Sequence, residues 1–226
     1  MCGRFTLATS NESFSELFES LEVPALPPRY NIAPTQKVLC VRQSEKGDLE
    51  TANLKWGLFP SWARQATFGA RMINARSETA ATKPAFRAAF KRRRCLVLAD
   101  GFYEWQKIGT GKQPYYIQVN KKLFCMAGLW ESWRDKSEDD PVPLESCTVL
   151  TTAANEFMQP LHDRMPVILD PDQFDLWLDR EFEEPLLLEE MLKPYANEAM
   201  SAFPVSTFVN RPVNDSPECI VPIEKV

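Results

Sequence analysis

The sequence has little histidine and no paired cysteine motif. Its 226 residues contain one histidine, His162, and six cysteines, none of which forms a C-x-x-C pair. Zinc sites are built from closely spaced cysteine and histidine ligands, so the sequence predicts no metal site and no cofactor. Scattered cysteines in a reducing compartment stay as free thiols, which excludes a disulfide framework.

Long hydrophobic runs are absent as well. The first ten residues, MCGRFTLATS, lack the apolar segment of a secretory signal. No stretch of about 18 apolar residues is present that could cross a membrane. The sequence therefore predicts an intracellular protein, cytoplasmic in a bacterium or nuclear in a eukaryote, with no membrane partner. We expect it to be a monomer.

Charge is distributed unevenly along the chain, although the net charge is only −5. Residues 1–130 carry 19 basic and 10 acidic side chains, whereas residues 131–226 carry 7 and 21. A basic amino-terminal part can face phosphates while the rest stays acidic. We interpret the basic run 91–94 as a solvent-exposed face, because it lies between a predicted helix and a predicted strand.

Hydrophobic spacing predicts a small number of helices. Phe14, Leu17, Phe18 and Leu21 recur at the spacing of one helix face, with Ser10 or Asn11 as the cap. Further helices are predicted at 84–91, 171–178 and 184–192, the first two with a proline near the first turn.

Strand-sized apolar runs dominate the rest of the chain. They are VLCVR, LKWGLF, CLVLA, YYIQV, LFCMAGLW, CTVLT and PVIL. So many strands with few helices between them favour an α+β fold, in which residues 1–226 form a single domain on a largely antiparallel, barrel-like β-sheet with flanking helices. The acidic stretch from Glu131 to Glu145 is predicted to be an exposed loop, and it offers the one candidate domain boundary.

The most informative residue is Cys2. A small second residue normally permits removal of Met1, which would make cysteine the terminal residue. A terminal cysteine joins an α-amine of pKa about 7.7–8.0 to a thiol of pKa about 8.5, so both are partly nucleophilic near neutral pH. The amine can form a Schiff base with an aldehyde, and the thiol can then close a thiazolidine ring on the same carbon. By position alone, Cys2 is equally well an incidental small hydrophobic residue.

Eight segments together resemble one known family. In chain order they are MCGRF at 1–5, RYNIAP at 29–34, KWGLFPSW at 55–62, INARSET at 73–79, ADGFYEW at 99–105, TTAAN at 151–155, LHDRMPVIL at 161–169 and PVSTFVN at 204–210. On these motifs the sequence is identified as a member of the SRAP (SOS-response-associated peptidase) family, whose members crosslink to abasic sites in single-stranded DNA. The resemblance spans nearly the whole chain and implies single-stranded DNA with abasic sites as the partner.

The resemblance also implies a catalytic site, in which Cys2 is the nucleophile and Asn74, Glu104 and His162 surround it. Glu104 suits a general acid and base if its pKa lies nearer neutrality than that of a free glutamate. His162 can exchange protons near pH 7, and Asn74 can orient an amine or a sugar hydroxyl. Without the resemblance, these three residues would be interpreted as a solvent-facing carboxylate, a structural histidine and a turn residue.

DNA-binding residues are implied in the same way. Arg4, Arg76 and Arg164 correspond to phosphate contacts, and Pro34 and Trp62 to apolar groups near a wedge that separates stacked bases beside the lesion. Cations for phosphates and flat or apolar side chains for bases are what single-strand binding requires.

Two other functions remain open at the level of the sequence. An amino-terminal-nucleophile amidohydrolase or peptidase also begins with cysteine after loss of methionine, and its α-amine serves as the base for thiol attack on an amide. A non-covalent single-strand-binding module would need no chemistry at Cys2. The family name further raises peptidase activity, which can amount to removal of Met1 from the protein's own chain, and lyase activity is a third enzymatic expectation.

Overall fold

The computed structural model describes residues 2–19, 21, 26–63, 69, 71–135, 137 and 142–224, with only the backbone at 11 and 12. The strands are β1 (Phe5–Leu7), β2 (Arg29–Ile32), β3 (Lys37–Gln43), β4 (Leu49–Trp56), β5 (Asn74–Arg76), β6 (Arg94–Ala99), β7 (Gly101–Ile108), β8 (Gly111–Val119), β9 (Phe124–Trp133), β10 (Leu144–Ala153), β11 (Arg164–Pro166), β12 (Ile168–Leu169) and β13 (Met200–Pro204). The helices are α1 (Asn11–Leu17), α2 (Ser77–Ala80), α3 (Arg87–Arg92), α4 (Phe174–Leu178) and α5 (Pro185–Glu190), with 3-10 turns at Pro171–Gln173, Asn197–Ala199, Thr207–Asn210 and Pro217–Ile220.

Five of the strands close into a barrel. Antiparallel pairings join β4 to β3, β3 to β6, β6 to β9 and β9 to β10, and a parallel pairing of β10 with β4 completes the ring. Small barrels of this kind are filled by side chains, and Leu54, Leu96 and Val149 on these strands are fully buried. The expected α+β fold on a largely antiparallel, barrel-like sheet is confirmed.

A second, fully antiparallel sheet has the strand order β13–β8–β7–β1–β2. One of its faces packs on the barrel, where the Phe5 ring meets Trp56 edge-on at 5.0 Å and the Phe102 ring meets Phe124 at 6.4 Å. The other face carries Tyr103 and Tyr116, which are covered by residues of the 205–220 segment. The first strand of the chain is therefore held between two layers of packed side chains.

The helices agree with the sequence predictions in place but less well in length. Helix α1 begins after Ser10 as predicted, but it ends at Leu17, because Phe18 leaves the helical region with φ −140°. Leu21 still packs against the core, so the helical spacing continues beyond the helix itself. The helix predicted at 84–91 begins only at Arg87, whereas those predicted at 171–178 and 184–192 are present as a 3-10 turn joined to α4 and as α5.

The acidic stretch was predicted wrongly at both ends, because residues 131–133 belong to β9 and residues 144 and 145 belong to β10. Strand β9 continues to Trp133, which pairs with Leu144 of β10, so the segment joins two neighbouring strands of one barrel. Glu131 is buried within β9, where Arg93 pairs with it. Only the part between the strands can be a loop, and residues 136 and 138–141 of that part lie outside the described residues.

The basic run 91–94 is also more varied than predicted. Lys91 and Arg92 are exposed and pair with Glu183, in agreement with a solvent-exposed face. Arg94 contradicts that prediction, since it is only 2% exposed. Its guanidinium donates to the backbone carbonyls of Phe90, Lys91, Trp177, Asp179 and Phe182.

Candidate active site

Cys2 lies three residues before the start of β1, at the junction of the two sheets. Phe5 pairs with Phe102 of β7, and the Tyr103 N–H donates to the carbonyl of Arg4 over 2.9 Å, which fixes the first residues against β7. The Cys2 side chain is fully buried. Burial, and after it the negative charge of Glu104, raise the pKa of the Cys2 thiol to about 12. In this environment the thiol keeps its proton more tightly than the thiol of an unburied cysteine does.

Asn74 holds Cys2 from the barrel side. Strand β5 pairs in parallel with β10, and Asn74 lies opposite Val149 at its start. The Nδ2 group of Asn74 donates to the Cys2 carbonyl oxygen over 2.8 Å. Its Oδ1 atom is buried and accepts no hydrogen bond from the described residues. The amide thus anchors Cys2 and keeps one acceptor available beside it.

Glu104 is a buried carboxyl on β7. It is 2% exposed, and burial raises its pKa above the ordinary value of 4.5, with a smaller contribution in the same direction from Asp163. The backbone N–H of Trp105 acts in the opposite direction by bonding to the carboxylate. A carboxyl of this kind holds its proton to higher pH, as a general acid and base near neutrality requires. The backbone bond from Tyr103 to Arg4 brings Glu104 beside the first residues of the chain, and its negative charge contributes to the raised pKa of the Cys2 thiol.

His162 stands half-buried at the edge of the site, and burial lowers its pKa. Two contacts meet at its Nδ1 atom, the backbone N–H of Arg164 at 3.0 Å and the Asp163 carboxylate at 2.7 Å. The first requires a neutral ring with the proton on Nε2, and the second requires a protonated Nδ1. Because Asp163 is largely exposed, its attraction is screened and burial prevails. The His162 ring is therefore neutral at rest. When Nδ1 takes up a proton, it can donate that proton to the Asp163 carboxylate in a hydrogen bond.

The three candidate phosphate-binding arginines differ in their surroundings. Arg4 donates to Asn31 Oδ1 over 2.6 Å and to the Val209 carbonyl over 2.9 Å. Arg164 is nearly buried, and both of its terminal nitrogens bond to the Glu78 carboxylate. Arg76 is exposed at the end of β5. Two of the three guanidinium groups are therefore already engaged within the protein, and a phosphate would have to share or displace those contacts.

Trp62 lies on a firmly attached loop and is 54% exposed. Three side chains of β9 and β10 hold the loop through its backbone: Ser146 accepts from Phe59 N–H at 2.8 Å, Glu131 accepts from Ser61 N–H at 3.1 Å, and Trp133 Nε1 donates to Ala63 O at 2.6 Å. The Trp62 ring nitrogen donates to the Pro84 carbonyl over 3.4 Å. Trp62 thus presents an aromatic surface on a segment whose backbone is hydrogen-bonded to side chains of β9 and β10.

Pro34 belongs to the same corner of the fold. The next residue, Thr35, has a left-handed backbone with φ 74°, and its N–H donates to the carbonyl of Trp56, where β4 ends. The loop that carries Trp62 begins immediately after that residue. The structure thus brings Pro34 and Trp62 to segments that meet at one strand end.

Several residues that support the site were not singled out from the sequence. Asn31 is fully buried, and its Nδ2 donates to the carbonyls of Val209, Arg211 and Asn214 while its Oδ1 receives Arg4. It lies within the RYNIAP motif, which was the available signal. Glu78, which holds Arg164, lies within the INARSET motif, so the same signal was available for it. Glu131, which holds the Trp62 loop, lies in none of the eight motifs and had no comparable signal.

Within the described residues, no three or more His, Cys, Asp or Glu side chains are grouped so that they could hold a metal ion. None of the described helices is long and apolar enough to cross a membrane.

Comparison with known proteins identifies the family. The family model described as SOS response associated peptidase (SRAP) matches residues 1–212. The chain belongs to the SRAP family. This SRAP chain is 40% identical over 225 residues to a Bacillus subtilis (strain 168) protein named abasic site processing protein YoqW, with 97% of this chain and 99% of that protein covered.

Two further comparisons extend the family and the fold. The SRAP chain is 37% identical to the Gallus gallus abasic site processing protein HMCES over 87% of this chain and 67% of that protein. A crystal structure of a protein from Bacteroides thetaiotaomicron superimposes with a TM-score of 0.87 at 26% identity, covering 99% of this SRAP chain and 100% of that one.

Proposed function

We propose that this SRAP protein captures abasic sites in single-stranded DNA through a covalent bond at Cys2, after Met1 has been removed. The proposal rests on the fully buried Cys2 with the carboxyl of Glu104 and the amide of Asn74 beside it. Relatives of the chain are named abasic site processing proteins, and an abasic site is the form of DNA that presents an aldehyde.

The proposed reaction has two bond-forming steps. The freed α-amine of Cys2 adds to the aldehyde carbon of the opened sugar, and loss of water gives an imine. The thiol then adds to the imine carbon, so that a C–S bond forms and the thiol proton moves to the nitrogen. The product is a five-membered thiazolidine. One water is released overall, and no oxidant or reductant is consumed.

Proton transfer is assigned to two side chains. Because the Cys2 thiol has a pKa of about 12, it must lose its proton inside the site, and Glu104 is the neighbouring carboxyl that can carry it. His162 exchanges the proton that moves when the closed sugar opens to the aldehyde. Asn74 orients the reacting amine, since it already bonds to the carbonyl of the same residue.

Binding of the strand is assigned to the residues around this site. Arg4, Arg76 and Arg164 contact phosphates, and Pro34 and Trp62 separate the bases beside the lesion. Residues 1–226 act as one domain and as a monomer in this proposal. Lyase action on the lesion and removal of Met1 by the protein itself are further activities of the same site.

The test is a denaturing gel with a single-stranded oligonucleotide that carries one abasic site. Wild-type protein whose loss of Met1 has been verified by intact mass is expected to give a band that survives denaturation. The mass of this adduct should equal protein plus DNA minus one water. Cys2→Ala should abolish the band and keep reversible binding. Cys219→Ala is the matched control, because it also removes a buried thiol but leaves Cys2 in place.

Other outcomes would support other functions. Reversible binding by the wild type without any adduct would establish a non-covalent module and contradict the proposal. Hydrolysis of glutamine that depends on Cys2, without an adduct, would establish an amidohydrolase instead.

A further inference from the structure

One face of the β7–β8 hairpin carries Glu104 and continues from the active site to the tip of the hairpin. Residues directly opposite each other in an antiparallel pair project to the same face of a sheet. From the core to the hairpin tip, the pairs on this face are Phe102 with Ile117, Glu104 with Tyr115, Gln106 with Gln113, and Ile108 with Gly111. The face changes from fully buried at its first pair to 54% exposed at Ile108. It therefore forms a strip that leads from the catalytic carboxyl to solvent.

A groove of about 520 Å³ lies on this strip. Its lining includes Gln106, Ile108, Lys112, Gln113, Tyr115 and Pro204. Pro204 of β13 pairs with Tyr115, so that the groove crosses three strands of the second sheet. Its inner end reaches Tyr115, the partner of Glu104, and its volume is within the usual range for sites that bind small ligands.

The groove combines flat or apolar surfaces with two fixed amides. Tyr115, Pro204 and Ile108 supply the apolar surface. Gln106 Nε2 donates to the Pro160 carbonyl over 3.1 Å, and Gln113 Nε2 donates to the Val205 carbonyl over 2.7 Å. Both amino groups are therefore occupied, and neither side-chain oxygen accepts a hydrogen bond from the residues that the structure describes. These oxygens are acceptors for a ligand that carries an N–H group.

A positive charge lies at the outer end of the groove. Lys112 lines the groove near the tip of the hairpin, where it pairs with Lys107, and it is exposed. An aromatic surface together with a nearby cation is the arrangement by which proteins bind single-stranded nucleic acid without base pairing.

We propose that this groove binds the nucleobase next to the abasic site, on one side of the lesion, with the base against Tyr115 and the phosphate beyond that base at Lys112. This inference rests on the proposed function and adds a base-binding subsite to it. The two acceptor oxygens can take both hydrogens of an exocyclic amino group, which adenine, cytosine and guanine carry, whereas thymine offers only the single N–H at N3; the groove therefore favours the first three bases over thymine. Such a subsite would hold the strand so that the baseless sugar lies over Cys2.

The subsite is tested with single-stranded oligonucleotides that contain a tetrahydrofuran abasic analogue, which has no aldehyde and binds reversibly. The neighbouring nucleotide is adenine, thymine or a second baseless spacer, on either side in turn, and dissociation constants are measured by fluorescence anisotropy. For the wild type, a spacer on one side should weaken binding about tenfold, because stacking of one base contributes on this scale. Thymine on that side should bind more weakly than adenine.

Variants of residues that line the groove test whether the difference between base and spacer arises there. Tyr115→Leu keeps an apolar side chain and removes the aromatic face, and Ile108→Ala changes an exposed residue that the fold does not need. Each should reduce the tenfold difference between adenine and spacer, Tyr115→Leu to less than twofold. Lys112→Ala should weaken binding of all oligonucleotides alike. Lys107→Ala is its matched control, because this exposed lysine is the β-pair partner of Lys112 but does not line the groove.

The outcomes separate the subsite from the proposed function. A wild type that crosslinks an authentic abasic site but shows no difference between base and spacer on either side overturns the subsite alone. So does a difference that persists in both Tyr115→Leu and Ile108→Ala. Failure of the wild type to crosslink an authentic abasic site overturns the proposed function, and the binding experiment with the analogue does not depend on that chemistry.

Discussion

Asn74 donates a hydrogen bond of 2.8 Å to the carbonyl oxygen of Cys2. The bond connects the first residues of the chain to β5, which pairs with barrel strand β10. The position of Cys2 is thus set by the barrel as well as by the pairing of the following residues with β7. If the α-amine of Cys2 reacts as proposed, a fixed carbonyl limits the directions in which that amine can point.

Replacement of Asn74 by alanine is expected to slow adduct formation. A neutral hydrogen bond of this kind contributes about 1 kcal/mol net, which corresponds to roughly a fivefold change in rate if it is present only when the amine is correctly oriented. The measurement is the initial rate of adduct formation at saturating DNA. Asn53→Ala is the control, because Asn53 is exposed on β4. Unchanged rates with weaker DNA binding would instead make Asn74 a binding residue.

Glu104 is expected to make the stability of the protein depend on pH. Its pKa in the folded state is raised above 4.5, so the folded state holds the proton more tightly than the unfolded state does. The stabilisation from this proton is complete below about pH 4.5 and is lost as the pH rises through the folded-state pKa. Glu104→Gln, which is neutral at every pH, should therefore gain stability over the wild type at pH 8 and show little gain at pH 4.

Urea unfolding at these two pH values measures the effect. Glu45→Gln serves as the control, since Glu45 is exposed. The idea fails if Glu104→Gln has the same stability relative to the wild type at both pH values. Adduct formation by the same variant should be slower at neutral pH, because an amide cannot accept and return a proton.

The sequence predicts the barrel well because its strands are long and buried. Strand β6 is buried along its whole length, and its sequence contains the continuous apolar run CLVLA. Trp177 of α4 covers the strand from outside the barrel and donates from Nε1 to the Cys95 carbonyl. Strands β1 and β5 have three residues each, which is too short for any alternation to be visible. Strand β1 follows Cys2 and β5 begins at Asn74, so the part of the fold that is hardest to predict is the part that positions these two candidate site residues.

The site residues were found through motifs, but their environments were not. Nothing in the sequence around Cys2 shows that it is fully buried, and burial is what raises its pKa to about 12. In the same way, Arg94 is indistinguishable by type from the exposed Arg92, and only the packing of α3 and α4 around it makes it a buried residue. Burial of single polar side chains depends on tertiary contacts that local patterns do not encode.

The carboxylate of Glu78 is expected to weaken DNA binding by the wild type. It forms a bidentate ion pair with the guanidinium of Arg164, and this pair lowers the pKa of the Glu78 carboxyl. If Arg164 contacts a phosphate, Glu78 competes for the same donors and also repels the phosphate charge. Glu78→Gln should then tighten binding of single-stranded DNA severalfold at low salt, with a steeper dependence on salt concentration.

The control for this variant is Glu50→Gln, which removes a carboxylate paired with Arg42 away from the candidate site. Equal affinities of Glu78→Gln and the wild type at several salt concentrations would show that Arg164 is a structural residue that joins α2 to β11. Anisotropy with an abasic analogue oligonucleotide measures both variants under the same conditions.

Arg94 is expected to be essential for stability and not for chemistry. Its guanidinium satisfies backbone carbonyls at the ends of α3 and α4, where the last carbonyls of a helix have no partner within the helix. Burial lowers its pKa to about 10, so the group is still charged at neutral pH. Arg94→Met keeps most of the volume and leaves these buried carbonyls without donors, each at a cost of about 1–3 kcal/mol. Because neighbouring losses do not add fully, we expect a total of about 3–5 kcal/mol.

Two comparisons make the Arg94 prediction specific. Arg92→Met, on the exposed side of the same run, removes a surface ion pair and should cost less than about 1 kcal/mol. Arg94→Lys retains the charge but has only three donors on a single nitrogen, so it should recover little of the loss. Denaturant unfolding measures all three variants. Equal losses of stability in Arg94→Met and Arg92→Met would contradict the prediction, because the buried guanidinium would then contribute no more than a surface one. The contacts of Arg94 with the two helix ends would in that case not be what holds α3 and α4 against β6.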